Sequence, residues 1–239
     1  MYKKNDGGDV NTAPVVEAYK KLRANLLFSL AGSKKKIVLI SSPEPTAGKS
    51  TTCGNLAVMM AQTGNKVLLI DADLRRPSLH RLFHTNKSEG LTRFLINMST
   101  LDECIKKEVA PIVDLIPSGP IPPNPSELLG SARMVNLLNQ VAEQYDYVFV
   151  DTPPIGVVTD GLVLAARAAG VVLVVRYNIT SYDEVQEAVD SVKNVHGNLL
   201  GVIINDYKYT AGEKQRRYYA QRGIYRKKDP ETKESESEG

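Results

Sequence analysis

Cysteine is nearly absent: Cys53 and Cys104 are the only two in 239 residues. Both fall in segments of helical pattern without metal-ligand spacing, which excludes a disulfide framework and points to free thiols in a reducing, cytoplasmic compartment. No signal-peptide pattern opens the sequence, and the longest apolar region, residues 155–175, is interrupted by Asp160 and Arg167, so no membrane span is expected. An excess of one charge is also missing. Lys and Arg number 30 against 27 Asp and Glu, and the net charge of +3 is too small to imply a nucleic-acid partner. What remains is a hydrophobic fraction of 42% on a length suited to one domain, large enough for a central sheet covered on both faces.

The most informative stretch is Ile37-Val38-Leu39-Ile40-Ser41-Ser42-Pro43-Glu44-Pro45-Thr46-Ala47-Gly48-Lys49-Ser50-Thr51-Thr52. An apolar run of strand type enters a Pro- and Ser-rich turn, meets Gly-Lys-Ser and leaves through residues that favour a helix. This is the order of a phosphate-binding loop, whose backbone N–H groups and following helix N-terminus face phosphate oxygens. Lys49 would reach the β- and γ-phosphates and Ser50 would place its hydroxyl on Mg²⁺. The usual pattern has Gly five residues before Gly48, and Pro43 stands there. The structural alternative is a helix start capped by Ser50 or Thr51 after a surface loop.

Before this stretch, residues 1–14 read as a flexible N-terminus. Apolar positions then recur at helical spacing through Val15, Ala18, Tyr19, Leu22, Leu26, Leu27 and Leu30. That helix either packs on the sheet edge or presents Glu17, Lys20 and Arg23 to another subunit. After it, residues 66–70 read as a buried parallel strand ending in Asp71-Ala72-Asp73-Leu74-Arg75, and residues 146–150 as another ending in Asp151, in the form of a Walker B strand. Asp71 and Asp73 also suit a helix N-cap. Their convergence with Asp151 on the edge that carries Lys49 and Ser50 favours a site, because ligands bind at strand C-terminal ends in open α/β sheets.

Residues 90–109 read as short helices, 112–117 as a strand, 131–144 and 181–195 as helices, and 171–175 and 199–205 as strands. Asn205 ends the last strand, where its amide could read a base. Residues 207–239 lack apolar periodicity and read as a disordered tail. There Tyr207, Tyr209, Tyr218, Tyr219 and Tyr225 lie among basic residues, as stacking groups, membrane-surface anchors or substrates.

Together the phosphate loop, the Asp71-x-Asp73-x-Arg75 motif, the Walker B strand, the segment Ser118-Gly119-Pro120-Ile121-Pro122-Pro123-Asn124-Pro125 and the tyrosine cluster resemble the bacterial tyrosine kinases of capsule and exopolysaccharide synthesis. The resemblance implies an α/β, P-loop NTPase-type fold over residues 15–206, with a mostly parallel sheet and helices on both faces. It also implies an ATP- and Mg²⁺-dependent autokinase. Thr46, Ala47, Gly48, Lys49, Ser50 and Thr51 would cradle the nucleotide, Ser50 and Asp151 would hold the metal with Asp71 in its outer shell, and Asp73 would meet the tyrosine hydroxyl. Spacing alone does not say which Asp does which. Further implied are a homo-oligomeric ring joined through Glu17, Lys20 and Arg23, transfer to tail tyrosines between subunits, a transmembrane activator that recruits the cytoplasmic chain to the inner membrane face, and a cognate phosphotyrosine phosphatase.

Three departures from the family pattern stand out: Thr46-Ala47 replaces Gly-Glu, Lys20 replaces an Arg, and the tail has few tyrosines before an acidic end. The alternatives are a partitioning-type ATPase or a non-catalytic nucleotide sensor of the same fold. Partitioning ATPases carry a signature Lys four residues before the Gly of Gly-Lys-Ser/Thr, where this chain has Glu44.

Overall fold

The computed structural model describes residues 13–33 and 36–207. The chain divides after Asn205 into two units, and of the second only Asp206 and Tyr207 are among the described residues. Most of the expected N-terminal segment and of the expected tail, with Tyr209, Tyr218, Tyr219 and Tyr225, lies outside them.

In the first unit a seven-stranded sheet has the order β3-β4-β2-β5-β1-β6-β7. Its strands are β1 Ile37–Ser41, β2 Val67–Asp71, β3 Lys106–Ala110, β4 Val113–Ile116, β5 Tyr147–Asp151, β6 Gly170–Arg176 and β7 Leu199–Asn205. All neighbours are parallel except β3, which runs antiparallel to β4 at one edge. The helices are α1 Ala13–Ser29, α2 Lys49–Ala61, α3 Leu79–Leu82, α4 Leu91–Leu95, α5 Leu101–Cys104, α6 Pro125–Gly130, α7 Ala132–Gln144, α8 Leu162–Ala165 and α9 Tyr182–Asn194.

The continuous apolar runs of β1, β2 and β5 follow from burial on both faces. Successive side chains point to opposite faces. Val38, Ile40, Val67, Leu69, Tyr147 and Phe149 therefore enter one core with α1, α2 and α3. Ile37, Leu39, Leu68, Ile70, Val148 and Val150 enter the other, with residues from α4, α5, α7, α8 and α9. Local chemistry sets several helix starts. Ser181 and Glu184 form a capping box on α9, and the Ser131 hydroxyl accepts from Met134 N at α7.

Two sequence expectations change. Residues 106–110 form a strand and not part of a helical run. The pattern Lys106-Lys107-Glu108 has little apolar content because β3 is an edge strand, with burial confined largely to Ala110. The first helix also lies differently from the expected sheet-edge packing, being laid on α2: Arg23 Nη1 donates to Met59 O at 3.1 Å and Asn55 Nδ2 donates to the Tyr19 hydroxyl at 3.4 Å. Leu26 and Leu30 are buried, but Val15 and Leu27 of its apolar series are exposed. Both expected free thiols are buried, and burial pushes the Cys53 thiol well up. Among the described residues no helix is long and apolar enough to cross a membrane.

Candidate active site

The loop between β1 and α2 wraps the start of α2. Gly48, at the helix N-cap, adopts φ 91°, a left-handed conformation open to glycine. A β-carbon there would stand on the Asn205 side chain, whose Nδ2 donates to Ala47 O at 3.0 Å. Asn205, expected as a base-reading group, thus reaches from the end of β7 onto the phosphate loop itself. Two positions earlier Thr46 has φ 62°, which is unfavourable for a β-branched residue. Where the family pattern has glycine, this chain holds Thr46 in a left-handed conformation that strains its side chain. Thr46 and Thr51 are exposed and Ala47 is buried.

Adjacent strands bring the carboxylates together. Asp71 and Asp151 are register partners at the C-terminal ends of β2 and β5, and Ile40 of β1 pairs with Asp151 on its other side. Lys49, only 8% exposed, lies between the loop and these strands. Its Nζ donates to Asp73 Oδ2 at 2.8 Å and stands 3.8 Å from Asp151 Oδ1 and 3.4 Å from the Ser50 hydroxyl. Burial disfavours the ammonium, but the charges of Asp151 and Asp73 outweigh it and raise the Lys49 pKa above the ordinary lysine value.

The three carboxylates are held differently. Asp73 is occupied on both oxygens, by Lys49 and by the Arg76 N–H at 2.9 Å. Asp71 Oδ2 accepts from the N–H groups of Ser78 and Leu79, both at 3.0 Å, while its Oδ1 is buried without a hydrogen-bond partner. Neither oxygen of Asp151 has one. Burial and the neighbouring charge of Asp151 push the Asp71 carboxyl up to about 8. Burial likewise raises Asp151, to about 6, against the opposing pull of Lys49.

Orphaned buried carboxylate oxygens beside a serine hydroxyl fit a small hard cation. Among the described residues no cluster of three or more His, Cys, Asp or Glu forms a ready-made cage. Mg²⁺ needs none, since it completes its octahedron with waters and substrate phosphates around one or two carboxylates.

A groove of about 480 Å³ opens over this arrangement. Gly48, Lys49, Ser50, Thr51 and Asp73 supply its polar side, Arg75 and Arg76 a basic margin, and Pro153, Pro154, Val157 and Val158 an apolar wall.

Two further residues carry structure that sequence reading did not assign. Asp160, noticed only as a break in an apolar run, is 1% exposed. It accepts from Arg75 Nε at 2.6 Å and Nη2 at 3.2 Å and, very closely, from the Ser126 hydroxyl. Burial alone would raise its carboxyl, but the bonds from Arg75 and Ser126 hold it below the ordinary range. The arginine of the Asp71-x-Asp73-x-Arg75 motif is thereby tied to a loop and not to a phosphate position. Glu44, at the place of the partitioning lysine, accepts from the Thr180 hydroxyl at 2.7 Å and from Arg176 Nε at 3.3 Å. It is bound into its own chain.

The remaining predicted residues lie elsewhere. Lys20 and Glu17 form an exposed ion pair at 2.6 Å on α1, and Arg23 is half-buried against α2. Tyr207 is 37% exposed.

A phosphate loop, a Walker B aspartate and a second carboxylate strand on one edge of a mostly parallel sheet define a P-loop nucleotide-binding protein. The profile of the AAA domain family matches residues 35–203. The tyrosine-protein kinase YwqD of Bacillus subtilis is 41% identical over 192 residues, covering 80% of this chain and 81% of YwqD. The putative tyrosine-protein kinase EpsB of Ralstonia solanacearum is 37% identical over 228 residues, 93% of this chain. The chain spans 30% of the length of EpsB. Among solved structures, the kinase domain of the Escherichia coli tyrosine kinase ETK superposes with a TM-score of 0.76 at 34% identity, covering 82% of this chain and 78% of that one. The chain belongs to the bacterial tyrosine-kinase family.

Proposed function

We propose that the chain is an ATP-dependent protein-tyrosine autokinase, acting on the tyrosines that follow Asp206 and regulating capsular or exopolysaccharide synthesis and export. The observation that carries this reading is the placement of Lys49 between Asp73 and Asp151, with Asp71 in register beside Asp151, beneath a groove that Lys49 and Asp73 line.

Phosphoryl transfer passes through a loose transition state, so the protein's part is positioning and charge neutralisation. The loop from Thr46 to Thr51 supplies backbone N–H groups to the phosphates, and Asn205, anchored on Ala47, borders the base. Ser50 and Asp151 would hold Mg²⁺ with Asp71 behind them, and the ion would neutralise charge that builds on the phosphate oxygens. Lys49 has two sets of anions to choose between. Its Nζ is bonded to Asp73, and phosphate oxygens would draw it away and release Asp73 Oδ2 for the phenol. The tyrosine oxygen then bonds to the γ-phosphorus as the bond to the bridging oxygen breaks, ADP leaves, and the phenolic proton passes to Asp73. A phenol of ordinary pKa near 10 loses its proton late, so a carboxylate within hydrogen-bond reach suffices.

By resemblance, the kinase works as a homo-oligomeric ring in which Glu17, Lys20 and Arg23 of one subunit meet the nucleotide edge of the next. A transmembrane activator of the export system would hold it at the inner face of the membrane, and a phosphotyrosine phosphatase would reverse its product. The partitioning-ATPase alternative is less well supported, because Glu44 occupies the signature-lysine position and is bonded to Arg176 and Thr180.

Incubation of the full chain with γ-labelled ATP and Mg²⁺, with and without the activator's cytoplasmic segment, followed by peptide mapping, tests the reading. Label on tyrosines after Asp206 is expected. ATP hydrolysis with no phosphotyrosine in either condition overturns it in favour of an ATPase. Mixing a Lys49→Met chain with an active chain that ends at Asp206 tests transfer between subunits, which requires label on the former.

A further inference from the structure

The polar floor of the groove accounts for phosphate and metal, but not for the apolar wall opposite. Pro153, Pro154, Val157 and Val158 line the same opening as Lys49 and Asp73. Val157 is 61% exposed there, beside phosphate- and metal-binding chemistry that does not call for an aliphatic side chain. Strand order separates this wall from the base end: it follows β5, whereas Asn205 ends β7, and β1 and β6 lie between those two strands. The wall is also fixed by its own chain. The Ser41 hydroxyl donates to Pro153 O at 2.8 Å and Ile155 N donates to Ser42 O at 2.9 Å, so the segment is strapped to the back of the phosphate loop. A β-carbon at Gly156 would strike the Pro43 backbone, which shows how close that approach is. At the far end Asp160 grips Arg75 and Ser126, tying the wall to the segment after β2 that carries Asp73. Two prolines in series restrict the rest.

We propose that Pro153, Pro154, Val157 and Val158 form the subsite for the phenol ring of the acceptor tyrosine, and that Asp160, a positioning residue, sets the wall's place relative to Asp73 through Arg75. This rests on the kinase reading and extends it to acceptor choice. A ring laid on the wall brings its hydroxyl to the carboxylate that takes the proton. The wall's contribution is apolar contact with a large flat side chain. A serine or threonine acceptor has nothing to lay there and leaves the wall wet, so the subsite favours tyrosine among hydroxyl acceptors.

The test uses the full chain and, as acceptor in excess, a synthetic peptide with the sequence of residues 214–226, with initial rates measured against peptide concentration. Val157→Asp is expected to raise the peptide KM by about tenfold, since the apolar contact of roughly one valine is worth about one decade. Val157→Ile should restore it. Asp160→Asn should raise the peptide KM more than it lowers kcat. The dissociation constant for a fluorescent ATP analogue, measured on the same variants, should stay at the wild-type value. A wild-type peptide KM in Val157→Asp overturns the subsite, as does a loss of nucleotide affinity that parallels the KM change, which would assign the wall to the nucleotide. Wild-type chain that hydrolyses ATP but labels no peptide, with the activator segment present, removes the kinase reading and the subsite with it.

Discussion

Two groups of buried carboxylates in this molecule are treated in opposite ways. Asp114 and Asp160 are satisfied: Asp114 accepts from the Tyr145 hydroxyl at 2.6 Å, from Lys107 Nζ at 3.0 Å and from Glu108 N at 2.9 Å, and Asp160 is held by Arg75 and Ser126. Hydrogen bonding overcomes burial in both, and both carboxyls lie below the ordinary range. Asp71 and Asp151 face each other across two strands with oxygens left unbonded, and burial raises both. The first group holds the fold together, whereas the second leaves a polar deficit that a cation and phosphates are suited to fill. Buried carboxylate oxygens without hydrogen-bond donors are costly to a fold, and three of them lie together here.

Removing the cation that lies between Asp151 and Asp73 should have the largest effect. Lys49→Met is expected to lower ATP-dependent labelling by at least about a hundredfold, the scale of losing one preorganised charge-stabilising group. Wild-type labelling would dissolve the contrast at its centre. The position is not the exposed loop charge its surroundings in the sequence suggest, because Lys49 is buried and paired.

Asp71→Asn sharpens the comparison by separating activity from stability. Its amide oxygen can keep the bonds from Ser78 and Leu79 while its NH₂ faces Asp151 across the register. Mg²⁺-dependent turnover should fall, and the melting temperature of the nucleotide-free protein should rise by roughly 2–4 °C for about 1 kcal/mol. A falling melting temperature would place Asp71 with the structural group. Asp114→Ala should do the reverse, costing about 1–3 kcal/mol in urea unfolding by stranding the Tyr145 hydroxyl, with labelling unchanged at a temperature where the variant is folded.

Acid should discriminate between the groups as well. Because hydrogen bonds hold the folded Asp114 and Asp160 carboxyls below the ordinary carboxylate range, the unfolded chain binds more protons than the native one as they titrate, and stability rises with pH there. Their contribution is present above the unfolded pKa and lost as pH falls through the folded values. Urea midpoints measured from about pH 6 down to about pH 3 should therefore decline more steeply in wild type than in Asp160→Asn; equal slopes would contradict the assignment.

The smallest expected effect lies in the loop. Thr46→Gly removes a β-branched side chain from φ 62° and should stabilise by about 1 kcal/mol, offset in part by the entropy of glycine in the unfolded chain. A loss of stability would mean that the Thr46 side chain makes a contribution larger than its strain.

What could be read in the sequence follows the same division. Buried strands announce themselves because both faces need apolar residues, so β1, β2, β4, β5 and β6 were legible from local pattern, and β7 was too, because that edge strand keeps an apolar run although Val202 and Ile204 are exposed. The edge strand β3 was not, since Lys106, Lys107 and Glu108 need no apolar partners when one side faces water. Asp160 was hidden for a different reason: its meaning lies in Arg75 and Ser126, which are 85 and 34 residues away, and sequence spacing carries no trace of such contacts. The strain at Thr46 was foreseeable only as missing glycine freedom, and its sign needed the backbone angle.

The register pairing of Asp71 with Asp151 has a consequence for how such a protein can change over generations. Main-chain ladders, and not loops, fix the separation of these two groups, so insertions or substitutions in the surrounding connections can remodel the groove's margins while the spacing of the two carboxylates is inherited intact. A one-residue slip between β2 and β5 would turn one carboxylate to the opposite face of the sheet. On the proposed reading, acceptor choice and partners could drift with the loops, whereas a change that loosened the pairing of these two strands would be exposed to selection as loss of turnover.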